Sequence, residues 1–191
     1  REAQKNEGAM QAIVGLDIET VDQLTVEAQG KGIVSVANHN TAQQIVITGE
    51  PAAVSAAAAA AAAQGANAIP LKVSGAWHSE LIKGAEEEFN TILSQIKFHP
   101  PEKTLVLNVT GDIATEADEI KVGMQRQLCS PVKWYDAMGI FAQQKVDTFV
   151  EVGPGRVLAG LLKKILPSDY PVKIYNVSNM KQLERFLKET A

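Results

Sequence analysis

The chain has 191 residues, which at roughly 150 residues per domain corresponds to one or two domains. Hydrophobic residues make up 46% and charged residues 21%, close to the globular average, which excludes a disordered or collagen-like chain. The 22 acidic residues outweigh the 18 basic ones and give a formal net charge of −4. Because phosphate neutralisation needs clustered lysine and arginine, this balance predicts no nucleic-acid partner.

Cysteine usage and the length of apolar runs indicate the cellular compartment and exclude some kinds of site and partner. Cys129 is the only cysteine, which excludes an internal disulfide and any zinc site of the CxxC type, and we expect no metal. A reducing, cytoplasmic compartment fits best. No apolar run approaches the roughly 18 residues that a membrane span needs, and the opening residues lack the apolar core of a signal peptide. The sequence therefore predicts no membrane partner.

The first third of the chain alternates strands and helices in the order β-α-β-β-α-β. The predicted elements are a strand at 11–16, a helix from Asp17 to about Gly30, strands at 33–40 and 43–49, a helix from Pro51 to Gly65, and a strand at 68–73. The turn between the middle two strands holds His39. This order is typical of the ferredoxin-like arrangement, which we assign to residues 9–73.

An alanine run from Ala56 to Ala63 fills the second of these helices. One interpretation is an ordinary helix whose small-residue face packs close to a sheet. The other is that alanine stands there for positions whose side chains were never assigned. Composition does not choose between the two.

Residues 74–191 predict a larger α/β part with a mostly parallel sheet. The predicted elements are a long helix from 79 to 96, a strand at 103–109, a helix at 117–128, a helix with Pro131 in its first turn, a strand at 147–153, a helix at 156–166, a strand at 172–177 and a helix at 180–189. The near-continuous apolar strand 147–153 suggests burial on both faces. The fold class is therefore α/β, with a ferredoxin-like subdomain.

His78 is the histidine best placed for chemistry. It lies in VSGAWHSELI, between a strand and a helix, where α/β proteins place ligands, whereas His99 lies in a polar surface loop. The alternative is a histidine that only caps a helix or fills a loop. VEVGPGRVL (150–158) is not a dinucleotide motif and can equally be a plain strand-to-helix turn. No G-x-S-x-G nucleophile elbow occurs, so the chain offers a base without a nucleophile.

Several motifs carry a resemblance to a known family. VSGAWHS, RQLCSPVKW and VEVGPGRVLAGLLKKI, in this order, resemble the C-terminal part of the malonyl-CoA:acyl carrier protein transacylases, and EGAMQAIVGL (7–16) and NHNTAQQIVITG (38–49) extend the similarity. The resemblance implies an α/β-hydrolase-like core with an inserted ferredoxin-like subdomain, and residues 74–191 as part of that core. The family's glutamine loop, its GHSLGE serine and its malonyl-binding arginine precede the matched region. We expect these groups to lie outside this chain.

The resemblance also implies roles for individual residues. His78 matches the base that activates the family's serine, and Gln127 matches the residue whose backbone carbonyl orients that base. Asn38, Asn40 and Gln44 match the hairpin at the substrate cleft, which makes them candidates for substrate binding. Trp77 matches an aromatic position that goes with malonyl rather than a methyl-branched extender.

The implied reaction moves a malonyl group from coenzyme A to acyl carrier protein, in fatty-acid or polyketide synthesis, with coenzyme A as a substrate thioester and no cofactor. Malonyl-CoA and acyl carrier protein are the expected partners. Without the serine, the chain alone is expected to be inactive. The alternative is a non-catalytic acyltransferase-like module that docks acyl carrier protein or a synthase partner.

Overall fold

The first part of the chain forms a four-stranded antiparallel sheet covered on one face by two helices. The structure is a computed structural model, which describes residues 5–190. The elements here are β1 (Ala9–Val14), α1 (Ile18–Ala28), β2 (Val34–Thr41), β3 (Gln44–Gly49), α2 (Pro51–Ala63) and β4 (Asn67–Pro70). The strand order β2-β3-β1-β4, antiparallel throughout, is the ferredoxin-like order that the sequence predicted.

The core of this part lies between the sheet and its helices. Alternate residues of the strands, such as Ile45 and Ile47 of β3, meet buried residues of α1 and α2. Helix α2 contributes Ala53, Ala57 and Ala61, all of them buried. Because alanine is short, the axis of this helix can approach the sheet closely, as in the small-residue interpretation of the alanine run.

A side chain caps the start of helix α1, and a backbone 3₁₀ turn follows its end. Asp17 caps it by accepting the Thr20 amide at 2.8 Å. The predicted end at Gly30 is wrong, because a 3₁₀ turn over Gln29–Lys31 carries the chain on to Gly32 at φ 132°. A side chain at Gly32 would collide with Glu50, whose carboxylate lies 2.2 Å from the Cβ position.

The rest of the chain is built from short strands and amphipathic helices. The elements are α3 (Gly84–Ser94), β5 (Leu105–Leu107), β6 (Asp112–Ala114), α4 (Ala117–Arg126), α5 (Trp134–Gln143), β7 (Thr148–Val152), α6 (Val157–Ile165), β8 (Lys173–Val177) and α7 (Met180–Thr190). Short 3₁₀ turns cover Glu80–Ile82 and Gln127–Cys129. The chain divides into two compact units, the first ending at Ala137 and the second beginning at Met138. The sequence division into 9–73 and 74–191 stays a prediction.

Strand pairing beyond residue 100 departs from the predicted parallel sheet in one place. β7 and β8 are parallel, as expected, but β5 and β6 form an antiparallel hairpin. The predicted strand 103–109 shrinks to three residues because the chain reverses at Gly111, whose φ is 68°. Alternation of strands and helices in the sequence did not reveal this tight turn.

Three further expectations on burial and helix limits are wrong. Strand β7 is not buried on both faces: among the described residues it pairs only with β8, and Val152 is 78% exposed. The helix predicted over 79–96 begins as a 3₁₀ turn, and its apolar residues Ile92 and Ile96 are exposed. Helix α5 begins at Trp134 rather than at Pro131, because Val132 bonds to β2 and the Lys133 amide donates to the Asn108 carbonyl. Within residues 5–190, no helix combines the length and apolar character needed to cross a membrane.

Candidate active site around His78

His78 lies in a loop held by hydrogen bonds on both sides. It follows β4 and directly precedes Ser79, which caps the 3₁₀ turn Glu80–Ile82. The Ser79 hydroxyl is buried, donates to the Ala76 carbonyl at 2.8 Å and accepts the Leu81 amide at 3.3 Å. The hydroxyl is therefore committed to the loop and is not a substitute nucleophile. His78 itself has φ 61°, a left-handed conformation uncommon for residues with a Cβ.

The imidazole of His78 meets the main chain of Gln127. Its Nδ1 lies 3.1 Å from the Gln127 carbonyl oxygen. A carbonyl can only accept a hydrogen bond, so the neutral ring carries its proton on Nδ1 and leaves the lone pair on Nε2 free. This is the tautomer that a general base acting through Nε2 requires. The structure thus brings together the two residues that the sequence paired.

Gln127 offers its carbonyl because of where α4 ends. It begins the 3₁₀ turn that follows this helix, and carbonyls at helix ends lack partners within the helix. Its side-chain Nε2 is buried and has no hydrogen-bond partner among the described residues. The contact with His78 therefore depends on backbone geometry and not on the amide of the side chain.

The residues before β1 brace the same loop, which sequence reasoning missed. The Asn6 side chain donates to the Leu81 carbonyl at 2.7 Å. Gly8 approaches Ala76 so closely that a Cβ there would lie 2.3 Å from the Ala76 nitrogen. The only signal in the sequence was a glycine inside the matched run EGAMQAIVGL. Trp77, immediately before the histidine, is 42% exposed and presents its indole at the surface of the loop.

The predicted hairpin residues Asn38, Asn40 and Gln44 lie on β2 and β3, but not in a regular ladder. Register shifts occur between Val36 and Asn38 and between His39 and Thr41. As a result Asn38 stands opposite Val46 and shares its face of the sheet, away from the helices. Asn38 and Asn40 are both half-buried, and Gln44 begins β3 opposite Thr41.

His39 is not in a turn, contrary to the sequence expectation, but within β2. It is buried, its ring centroid lies 4.8 Å from that of Tyr135, and its Nδ1 lies 3.8 Å from an Asp136 carboxylate oxygen. The bulge explains the placement, because it turns His39 to the face of Ile45, towards α1. Next to it is an open cleft of about 600 Å³, whose lining includes Asp17, Ile18, Asp22, His39 and Tyr135.

In the second unit, the Gly-Pro-Gly turn is closed by Glu151. Its carboxylate accepts the Leu158 amide at 3.1 Å, the Ala159 amide at 2.9 Å and the Asn176 side chain at 2.8 Å. Burial opposes ionisation of this carboxyl, but the hydrogen bonds from Ala159, Leu158 and Asn176 outweigh it and lower the pKa of Glu151. The motif therefore acts here as a capped strand-to-helix turn.

Comparisons with known proteins show the family to which the chain is similar. The acyl transferase domain family matches residues 2–187. Curated relatives include the malonyl CoA-acyl carrier protein transacylases of Bacillus subtilis, 41% identical over 161 residues (83% of this chain and 51% of that protein), and of Haemophilus influenzae, 39% identical over 181 residues (94% and 58%).

Solved structures of malonyl transacylases are also similar to the chain. The transacylase of Streptococcus pneumoniae superposes with a TM-score of 0.89 at 32% identity, over 98% of this chain and 61% of the other. A malonyl-transacylase in complex with a type II PKS acyl-carrier protein gives 0.88 at 36% identity, over 99% and 62%. The chain thus spans just over half the length of the curated relatives it matches. On the match of nearly all its residues, the chain belongs to the acyl transferase domain family.

Proposed function

We propose that this chain supplies the general base of a malonyl-CoA:acyl carrier protein transacylase. The observation that carries the proposal is the contact between His78 Nδ1 and the Gln127 carbonyl, which leaves Nε2 as the proton acceptor. Relatives at 34–41% identity bear the name of this activity, and one similar transacylase forms a complex with an acyl-carrier protein. Malonyl-CoA and acyl carrier protein are accordingly the proposed substrates and partners.

In the proposed reaction, His78 Nε2 takes the proton of a serine hydroxyl while the serine oxygen attacks the malonyl thioester carbonyl. The carbon–sulfur bond breaks, and the imidazolium returns the proton to the departing coenzyme A thiolate. The phosphopantetheine thiol of acyl carrier protein then attacks the acyl-serine in the same manner. The Gln127 carbonyl accepts a hydrogen bond from Nδ1 throughout and stabilises the imidazolium.

Two groups would shape the substrate cleft. Trp77 exposes a bulky indole beside the base, which would crowd a methyl branch on the acyl group and so favour malonyl. Asn38 would offer its amide group from the face of the sheet away from the helices, with Asn40 at the second register shift of β2 and Gln44 at the start of the next strand. Coenzyme A enters as a thioester substrate, and the proposed reaction needs no further cofactor.

The 191 residues by themselves should not form an acyl-enzyme, because they contain no G-x-S-x-G sequence to supply the serine. Incubation with labelled malonyl-CoA should therefore leave the chain unlabelled. A stoichiometric covalent malonyl adduct on the chain would contradict this part of the proposal.

The proposed role of His78 can be tested in a chimera. The aligned 161 residues of the Bacillus subtilis relative are replaced by those of this chain, so that the relative supplies its remaining residues. The chimera should transfer malonyl groups to acyl carrier protein. In it, His78→Ala should lower the acylation rate by roughly 10²–10⁴-fold.

Gln127 provides the matched comparison. Gln127→Ala keeps the carbonyl, so it should cost about tenfold or less, with loss of the side chain as the only change. If Gln127→Ala reduces the rate as much as His78→Ala while both variants remain folded, the backbone role is wrong. A folded chimera that binds acyl carrier protein but transfers nothing would instead favour the non-catalytic docking module.

A further inference from the structure

The edge strand of the first sheet is joined by a segment from much further along the chain. β2 is the outer strand in the order β2-β3-β1-β4, and its free side forms a parallel bridge between Asn38 and Val132. The Val132 amide donates to the Ala37 carbonyl at 2.8 Å, and the Val132 carbonyl accepts the His39 amide at 2.9 Å. These two bonds fall at the bulge that turns Asn38 away from the face of Val36.

The same segment leads directly to the partner of the candidate base. Gln127 lies five residues before Val132, and only the 3₁₀ turn Gln127–Cys129, the extended Ser130 and Pro131 separate them. On the other side of the bridge, the Lys133 amide donates to the Asn108 carbonyl at 2.8 Å. The connection is therefore short and is anchored by backbone bonds at its far end.

We propose that Val132 is a positioning residue. Its backbone bonds to β2 hold the Gln127 carbonyl against the ring of His78 and couple that contact to β2, the strand that carries Asn38 and Asn40. The inference rests on the proposed function of His78 as the base. It follows from geometry: only four residues separate Gln127 from Val132, two of them in the 3₁₀ turn that Gln127 begins and one of them a proline, so Gln127 has little freedom to move once Val132 is held. Releasing the bridge would let the carbonyl move away from Nδ1.

The variant that tests this is Val132→Pro, which removes the amide donor to Ala37 and keeps the carbonyl. Leu71→Pro is the matched control: like Val132 it follows a proline, and its amide donates one cross-strand bond, to Met10 at 2.9 Å, at the opposite edge of the same sheet. Val132→Ala controls for loss of the side chain, since it retains both backbone bonds.

The readout is the tautomer of His78 in the 191-residue chain, from ring ¹⁵N shifts with His39→Gln and His99→Gln variants for assignment. The wild-type chain should show His78 mainly as the Nδ1–H form at neutral ring charge. Val132→Pro should lose that preference, with Nε2–H becoming the major form, while Leu71→Pro and Val132→Ala retain it. An unchanged tautomer in folded Val132→Pro, or an equal change in Leu71→Pro, would overturn the proposal.

A second measurement keeps the proposal testable if Val132→Pro does not fold. In the wild-type chain, hydrogen exchange of the Val132 and His39 amides should be as slow as that of the Ile45 and Ile47 amides within the sheet. Exchange as fast as that of the exposed turn residue Ala42 would show that the bridge does not hold, and would equally overturn the inference.

Discussion

His78 and Gln127 are 49 residues apart in the chain, yet the Nδ1 of one lies 3.1 Å from the main-chain oxygen of the other. The contact uses a side chain on one side and only the backbone on the other. A change at His78 therefore removes the chemistry, whereas a change at Gln127 tests only whether its loop keeps its shape. The backbone of the histidine is itself unusual, which gives the first prediction.

Replacing His78 by glycine should leave the protein more stable than replacing it by alanine. At φ 61°, a residue with a Cβ destabilises the folded state by about 1–2 kcal/mol relative to glycine. The roughly 0.5–1 kcal/mol entropy cost of glycine partly offsets this difference. We expect the free energy of unfolding of His78→Gly to exceed that of His78→Ala by about 0.5–1 kcal/mol in urea titrations. Equal or greater stability of His78→Ala would show that the left-handed conformation is not kept in solution.

Gly8→Ala should destabilise the loop that carries His78. The new Cβ would lie 2.3 Å from the Ala76 nitrogen, a backbone atom that must shift to admit it. We expect a loss of about 1–3 kcal/mol in the free energy of unfolding, together with a change in the NMR signals of the His78 ring.

The matched control for Gly8 is Gly30→Ala. A Cβ at Gly30 meets no atom within 4 Å, so this substitution should leave stability unchanged or slightly raised. If Gly8→Ala is as well tolerated as Gly30→Ala, the close approach to Ala76 does not constrain the loop.

Glu151→Gln should weaken the second unit in a pH-dependent way. The folded-state pKa of Glu151 is lowered, so the carboxylate stabilises the fold fully above the ordinary glutamate pKa of about 4.3, and this contribution is lost as pH falls through the lower folded value. The stability difference between wild type and Glu151→Gln should therefore be largest near pH 7 and shrink below about pH 4.

Urea titrations of both proteins across this pH range measure the effect. Glu184→Gln, at an exposed position of α7, serves as the charge-matched control and should show only a small difference in stability from the wild type. A Glu151→Gln deficit that persists unchanged at low pH would mean that the hydrogen bonds do not depend on the carboxylate charge.

Cys129 should be slow to react in the folded protein. Burial, a hydrogen bond to Glu86 and the negative charge of Glu86 raise the pKa of its thiol to about 12. Because the thiolate is the nucleophile, alkylation by iodoacetamide at about pH 8 should be on the order of 10²–10³-fold slower than in the urea-unfolded chain. Mass spectrometry over time gives both rates.

Removing the negative charge of Glu86 should speed the alkylation of Cys129. Glu86→Gln abolishes the nearby charge and should raise the alkylation rate of the folded protein, whereas Glu87→Gln, an exposed neighbour on the same helix, should not. Similar rates for the wild type and Glu86→Gln would mean that the charge of Glu86 does not protect the thiol.

The succession of elements in the first sheet and its helices was readable from the sequence because it depends on local patterns, whereas the short strand β6 was not predicted. Period-two alternation in residues 33–49, the cap at Asp17 and the proline that opens α2 each act within a few residues of themselves. The resemblance of short motifs likewise pointed to His78 and to the carbonyl of Gln127. Such local signals can be interpreted without knowing which residues lie beside them in the folded structure.

The bonds that shape the site came only from tertiary structure. Regular alternation would put Asn38 on the face of Val36, but an extra residue in β2 moves it to the other face, and no local pattern encodes such a bulge. Likewise, Pro131 looked like a helix start, yet Val132 pairs with the edge of β2 instead. The sequence determined which groups are present, whereas backbone hydrogen bonds between distant segments decided which face each group occupies, because main-chain donors and acceptors are the same in all residues except proline and leave no trace in residue type.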